Sequence, residues 1–193
     1  MQMTWWQTIV HWNWGLVGKS ALGAGLGATI VGGLLLFLRD HRRQRAFSTY
    51  MALRLAELLE AYAAKCAEAV SDDAHARHLS GQEVVNGRTT VPELPPYLED
   101  HDGWHAIDAT LAGQCLSFRN KIRASQSMID GMIEHDRETL GILFRELVAE
   151  LGLEAWQLAA DLRHRHRIEK ADVMWDCANQ LRQILEEARK PSE

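Results

Sequence analysis

The sequence predicts an all-α chain: a single N-terminal transmembrane helix followed by a cytoplasmic antiparallel helical hairpin or bundle. Three observations predict it. Ser20 to Leu38 is apolar and carries no charged residue, arginines follow at once, and apolar residues then recur at steps of three and four through most of the remaining chain.

The first element is the span. Leu16 to Leu38 is 23 residues; at about 1.5 Å per residue it covers about 35 Å, enough to cross a hydrocarbon core of about 30 Å with some tilt. Lys19 lies within a turn of its outer end, where the stem stays in the apolar zone and the ammonium reaches the headgroups. Residues 1–15 hold Trp5, Trp6, Trp12 and Trp14 but no Lys or Arg, whereas Arg39, Arg42, Arg43 and Arg45 follow the span. Indoles favour the membrane interface and basic residues stay on the cytoplasmic side, so the N-terminus is expected outside and the C-terminus in the cytoplasm, at an inner (plasma) membrane.

Two competing readings of this segment fail. Gly18-Lys19-Ser20 ends like a phosphate-binding loop, but Asn13 stands where that loop needs its first glycine, and no strands follow to build a parallel sheet. A cleavable signal peptide requires a basic leading region and a small-x-small cleavage site, whereas this stretch ends Leu34-Leu35-Leu36-Phe37-Leu38 against arginines. A retained anchor is expected, with the four arginines of residues 39–45 at the lipid headgroups.

Beyond the span the character changes. All 26 acidic residues lie there, against 20 of the 21 Lys and Arg, leaving residues 39–193 with a net charge of −6. A mildly acidic region of that size can bury one core and gives no sign of nucleic-acid binding. Cys66, Cys115 and Cys177 are far apart and fall on apolar stripes, as buried thiols do in a reducing compartment; no Cys-x-x-Cys pair points to zinc or redox work.

Periodicity places helices within residues 46–190. Met51, Leu55, Leu58, Tyr62 and Cys66 form one stripe, predicting a helix over 41–70. Ile107, Leu111, Cys115, Phe118, Ile122, Ile129 and Ile133 form a second stripe. Leu140, Phe144, Leu147 and Leu151 form a third, with Gly152 expected to cap or kink it and a short helix following around Trp156. Met174, Cys177, Leu181, Ile184 and Ala188 make the last, ended by Pro191. Between the first two, residues 71–103 hold three prolines and three glycines and read as a loop, with Asn86-Gly87 signalling a small hairpin.

The stripes are narrow enough to pack within the chain or to form a coiled coil with a second copy. Within the span, Ser20, Ala24, Ala28 and Gly32 form one row of small residues, and Gly23 and Gly27 a G-x-x-x-G. Such rows let helix backbones approach in lipid, predicting a homo-oligomer or a membrane complex.

Chemistry is sparser. In "YLEDHDGWHAID", residues 97–108, a single helix would put His101, His105 and Asp108 on one face, a plausible metal-ligand set, with His135-Asp136 as distant candidates to complete it; the simpler reading makes Asp102 the N-cap of a helix starting at Gly103 or Trp104. "RHRHRIEK", residues 163–170, suits either the negative end of a helix dipole or an anionic lipid or phosphorylated partner. No cofactor is expected. The function expected is a membrane-anchored scaffold or interaction subunit that holds a cytoplasmic protein partner at the membrane and self-associates through its span. The alternatives are a tethered metal-dependent enzyme using His101, His105 and Asp108, and a signal-transducing stalk.

Overall fold

The computed structural model describes residues 14–80, 90–97, 100–133, 137–169 and 176–189; within these, the side chains of residues 14–33, 35, 77–80, 101, 133, 137–139, 188 and 189 lie outside the description. The described elements are five helices: α1 (Trp14–Ser80), α2 (His101–Ala106), α3 (Ala109–Ile133), α4 (Arg137–His166) and α5 (Cys177–Arg189). No strand occurs among the described residues, and the hairpin signalled by Asn86-Gly87 falls outside them. The chain divides into two compact units, Met1–Arg45 and Ala46–Glu193.

In the first unit, α1 runs from Trp14. Among the described residues no helix is long and apolar enough to cross a membrane. The expected span, Leu16 to Leu38, takes most of its side chains from outside the described set, and so do the rows of Ser20, Gly23, Ala24, Gly27, Ala28 and Gly32.

The second unit is a helical bundle. No glycine or proline interrupts the chain from Leu34 to Ser80, and α1 accordingly continues through residues 71–80, where a loop was expected. Its inner face alternates large and small residues: Met51, Leu55, Leu59, Tyr62, Cys66 and Val70 are buried, with Ala52, Ala56, Ala63 and Ala67 between them. Alanine at those positions lets neighbouring backbones come close while the larger side chains interdigitate.

Contacts along α1 fix the direction of α4. Ser48 meets His166, Glu60 meets Arg163, Cys66 faces Gly152, and Asp73 lies 4.0 Å from Arg145. The partners fall in number as α1 advances, which makes the two helices antiparallel. α3 and α4 form a second antiparallel pair, bridged by the Lys121–Glu154 ion pair. Tyr62 packs edge-to-face on Phe118, ring centroids 5.7 Å apart, joining α1 to α3; such a pair adds about 1 kcal/mol beyond its buried area.

α4 runs unbroken through Gly152, so the glycine does not cap the helix as one expectation had it, and Trp156 belongs to the same helix. The cause is steric. A Cβ on Gly152 would lie 2.9 Å from the Cys66 Cβ and 2.8 Å from Leu181 Cδ1, so the missing side chain lets α1, α4 and α5 meet.

The connection back to α3 is an extended strap. Val91, Leu94 and Tyr97 are buried at every third residue, the repeat of a polyproline II helix, and Pro92, Pro95 and Pro96 supply the fixed φ that favours it. Val91 N donates to Gln126 Oε1 at 2.7 Å and the Tyr97 hydroxyl to the Cys115 carbonyl at 2.7 Å. The strap therefore lies along α3 and runs against it.

Candidate functional site

The acidic-histidine stretch is built around helix ends. Asp100 Oδ1 accepts from Gly103 N at 3.1 Å, so the N-cap of α2 is Asp100; Asp102, expected in that role, lies exposed in the first helical turn. Gly103 lies inside the helix against α1, where a Cβ would come within 2.6 Å of Met51 Cγ and displace that side chain.

The single helix that would align His101, His105 and Asp108 is absent. Ile107 is extended (φ −83°, ψ 155°) and buried, which ends α2 and lets Asp108 begin a new turn. Asp108 Oδ1 accepts from Thr110 N at 3.0 Å, and Oδ2 from Arg165 Nη2 at 3.0 Å. The Thr110 amide holds the Asp108 carboxyl below its ordinary pKa; the Leu111 amide and Arg165 add to this, against some loss of hydration. Asp108 is thus a cap for α3 and a tether for α4. His105 is exposed in the last turn of α2, while the side chain of His101, and His135-Asp136, lie outside the description. Among the described residues no group of three or more His, Cys, Asp or Glu is placed to hold a metal ion.

The basic knot at the end of α4 is mostly engaged within the fold. Arg163 is buried: Nε and Nη2 donate to the two carboxylate oxygens of Glu60 at 2.6 and 2.8 Å, and Nη1 donates to the Glu169 carbonyl at 2.8 Å. This two-pronged geometry suits a planar guanidinium and ties α1 to the turn after α4. Arg165 holds Asp108. His166 Nδ1 lies 3.4 Å from Ser48 Oγ, and its Nε2 is buried with no hydrogen bond. Burial lowers the His166 pKa and the Arg165 charge lowers it further, with Asp108 opposing.

The helix then closes in a Schellman turn. Ile168 N donates to the Arg163 carbonyl at 2.9 Å and Arg167 N to the His164 carbonyl at 3.3 Å, with Arg167 left-handed at φ 55°. Glycine suits that position, and a side chain there costs about 1 kcal/mol. His164 and Arg167 face solvent.

Two shallow clefts adjoin α1. One, about 290 Å³, is lined by Glu60, Trp156, Ala160, Arg163, His164 and Ile168. The other, about 310 Å³, lies between Arg54, Leu55, Glu57, Leu58 and Pro96. Neither collects a nucleophile with a base. The three cysteines are free and buried. Burial pushes the Cys66 thiol up to about 12 and Cys115 up to about 11, and raises Cys177 as well, so these thiols stay protonated and unreactive in the folded chain.

Ser48 and Glu60 were not foreseen from sequence. Their partners lie 118 and 103 residues away, and no local pattern announces a contact at that separation. At the start of the described side chains, Leu34, Leu36, Phe37 and Leu38 are 58%, 62%, 66% and 45% exposed, and Arg39, Arg42, Arg43 and Arg45 are exposed directly after them. Comparison with known protein families, curated proteins and solved structures finds no match for this chain.

Proposed function

We propose that this chain is a single-pass membrane-anchored helical protein, a scaffold or interaction subunit whose bundle holds a protein partner at the cytoplasmic face of the inner membrane and whose span self-associates. One observation carries the reading. At about 100° per residue, Leu34, Leu36, Phe37 and Leu38 spread over more than half of the circumference of α1, and all four are exposed. An exposed apolar arc that wide is wider than the stripe a helix needs to pack on one neighbour, and lipid would cover it.

The uninterrupted apolar sequence from Ser20, the tryptophans before it and the arginines after it support the same reading and set the orientation.

The test is topology. A reporter fused after Glu193 is expected to behave as cytoplasmic, and the full chain to stay with membranes through an alkaline carbonate wash. Release into the wash, or a mature chain lacking residues 1–38, overturns the anchor. Association through the span is checked separately: Gly27→Leu is expected to weaken it in a membrane dimerisation assay and Leu35→Ile to leave it unchanged, and equal effects overturn it.

A further inference from the structure

We infer that His166 is a proton-sensitive latch: while neutral it holds the C-terminal turn of α4 on α1, and its protonation releases residues 164–169 without unfolding the bundle. Every group involved belongs to the unit Ala46–Glu193.

Hydrogen bonding favours the neutral ring. Nδ1 lies 3.4 Å from Ser48 Oγ, and the buried Nε2 meets no partner among the described residues. A neutral imidazole has one N–H and one lone pair, whereas the imidazolium has two donors and no acceptor. Whichever nitrogen carries the first proton, the second leaves two donors facing one acceptor, the Ser48 hydroxyl. A buried donor without an acceptor is costly, and an opening that hydrates it removes the cost.

Charge acts in the same direction. Burial and then the Arg165 cation oppose protonation, while Asp108, at the junction of α2 and α3, favours it. Both Asp108 oxygens are already occupied, Oδ1 by Thr110 N and Oδ2 by Arg165 Nη2. On α1 the facing group is the uncharged Ser48. Along the chain His164, Arg165 and Arg167 flank the ring, with Glu169 three residues on.

Release stays local because the turn is lightly held. Leu158, Ala159 and Leu162 anchor α4 in the core, and Arg163 grips both Glu60 oxygens. Beyond Arg163 the side-chain ties are the Arg165–Asp108 pair, whose arginine is 65% exposed, the long Ser48 contact and the half-buried Ile168. Exposed ion pairs add little, and the left-handed Arg167 gives up a strained conformation on release. The bond from Arg163 Nη1 to the Glu169 carbonyl is exchanged for water. Ile168 is a wall of the cleft that also holds Trp156, so the released turn opens that cleft.

The test is amide exchange of the full chain in a zwitterionic detergent, followed from about pH 7.5 to about pH 5 and corrected for the intrinsic rate. The folded pKa of His166 lies below the unfolded value of about 6.5, so the closed turn is favoured above that value and loses ground as pH falls. Protection over residues 164–169 is expected to fall by up to about tenfold per pH unit between the two pKa values, while α3 and α5 keep theirs. His166→Gln, which cannot take up the proton, is expected to hold its protection constant. The pH at which the loss levels off is expected to move up in Arg165→Gln and down in Asp108→Asn. Both variants break the same ion pair, so their opposite shifts isolate the charge acting on the ring, and they decide the matter even if His166→Gln does not fold. Constant protection in the parent chain, an undiminished loss in His166→Gln, an equal loss across α3 and α5, or shifts of the same sign in the two neighbours each overturns the inference.

Discussion

Gly152 of α4 and Cys66 of α1 are in contact so close that a Cβ on the glycine would lie 2.9 Å from the Cβ of the cysteine, with Leu181 of α5 pressing from the other side. Gly152→Ala would gain up to about 1 kcal/mol of helix propensity but forces three helices apart, a cost of about 1–3 kcal/mol. The expected result is a lower melting temperature. Gly113→Ala and Gly131→Ala on α3 are the contrast, because a Cβ at either meets nothing within 4 Å. Both should raise it, and a rise for Gly152→Ala would refute the close packing.

The Glu60–Arg163 pair predicts a non-additive cycle. Glu60→Gln leaves a buried guanidinium without its counter-charge and should cost about 3–5 kcal/mol in denaturant unfolding. Replacing both, Glu60→Leu with Arg163→Met, should cost clearly less than the sum of the two single changes. Additive losses would mean that the two residues act independently.

His166 sets a pH dependence. Its folded pKa lies below the unfolded value of about 6.5, so the unfolded chain binds the proton more readily in the interval between them. The stability contributed is fully present above about pH 6.5 and is lost as pH falls through the folded value. Melting temperature should therefore drop on acidification below about pH 6.5, and His166→Gln should remove that part of the slope. Asp108 behaves in the same sense in a lower window, below the ordinary carboxylate pKa of about 3.9, so the two contributions separate on the pH axis.

Asp100 and Asp102 test which residue caps α2. Asp100→Ala should cost about 1 kcal/mol through the lost bond to Gly103 N, and Asp102→Ala much less. The reverse order, read from thermal melts of the two variants, would return the cap to Asp102.

What was legible in the sequence was the period of the helices. Met51, Leu55, Tyr62 and Cys66 repeat as a buried face requires, and so do Cys115, Phe118, Ile122 and Ile129. What was illegible depended on contacts remote in sequence. Gly152 looks like a helix end because glycine is a poor helix former, and only the approach of Cys66 and Leu181 explains its place mid-helix. Asp102 is as good a local cap as Asp100, and nothing in the local sequence separates the two, although only Asp100 accepts from Gly103 N. Asp108 and His105 share a helical face only if the helix continues, and burial of Ile107 breaks it. The strap was hidden for another reason: its buried residues repeat every third position, a spacing that fits neither a strand nor an α-helix.

The separation of 103 positions from Glu60 to Arg163 also sets an order of events on the ribosome. Chains grow at about 5–20 residues per second, so roughly 5–20 s pass between the emergence of the carboxylate and that of the guanidinium that neutralises it. Throughout that interval the apolar face of α1 has no α4 to cover it, while the apolar segment ahead of it has already been synthesised. A nascent chain in this state leaves the apolar face of α1 open. A chaperone holding residues 51–70 until α4 is complete would decide whether it matures or aggregates.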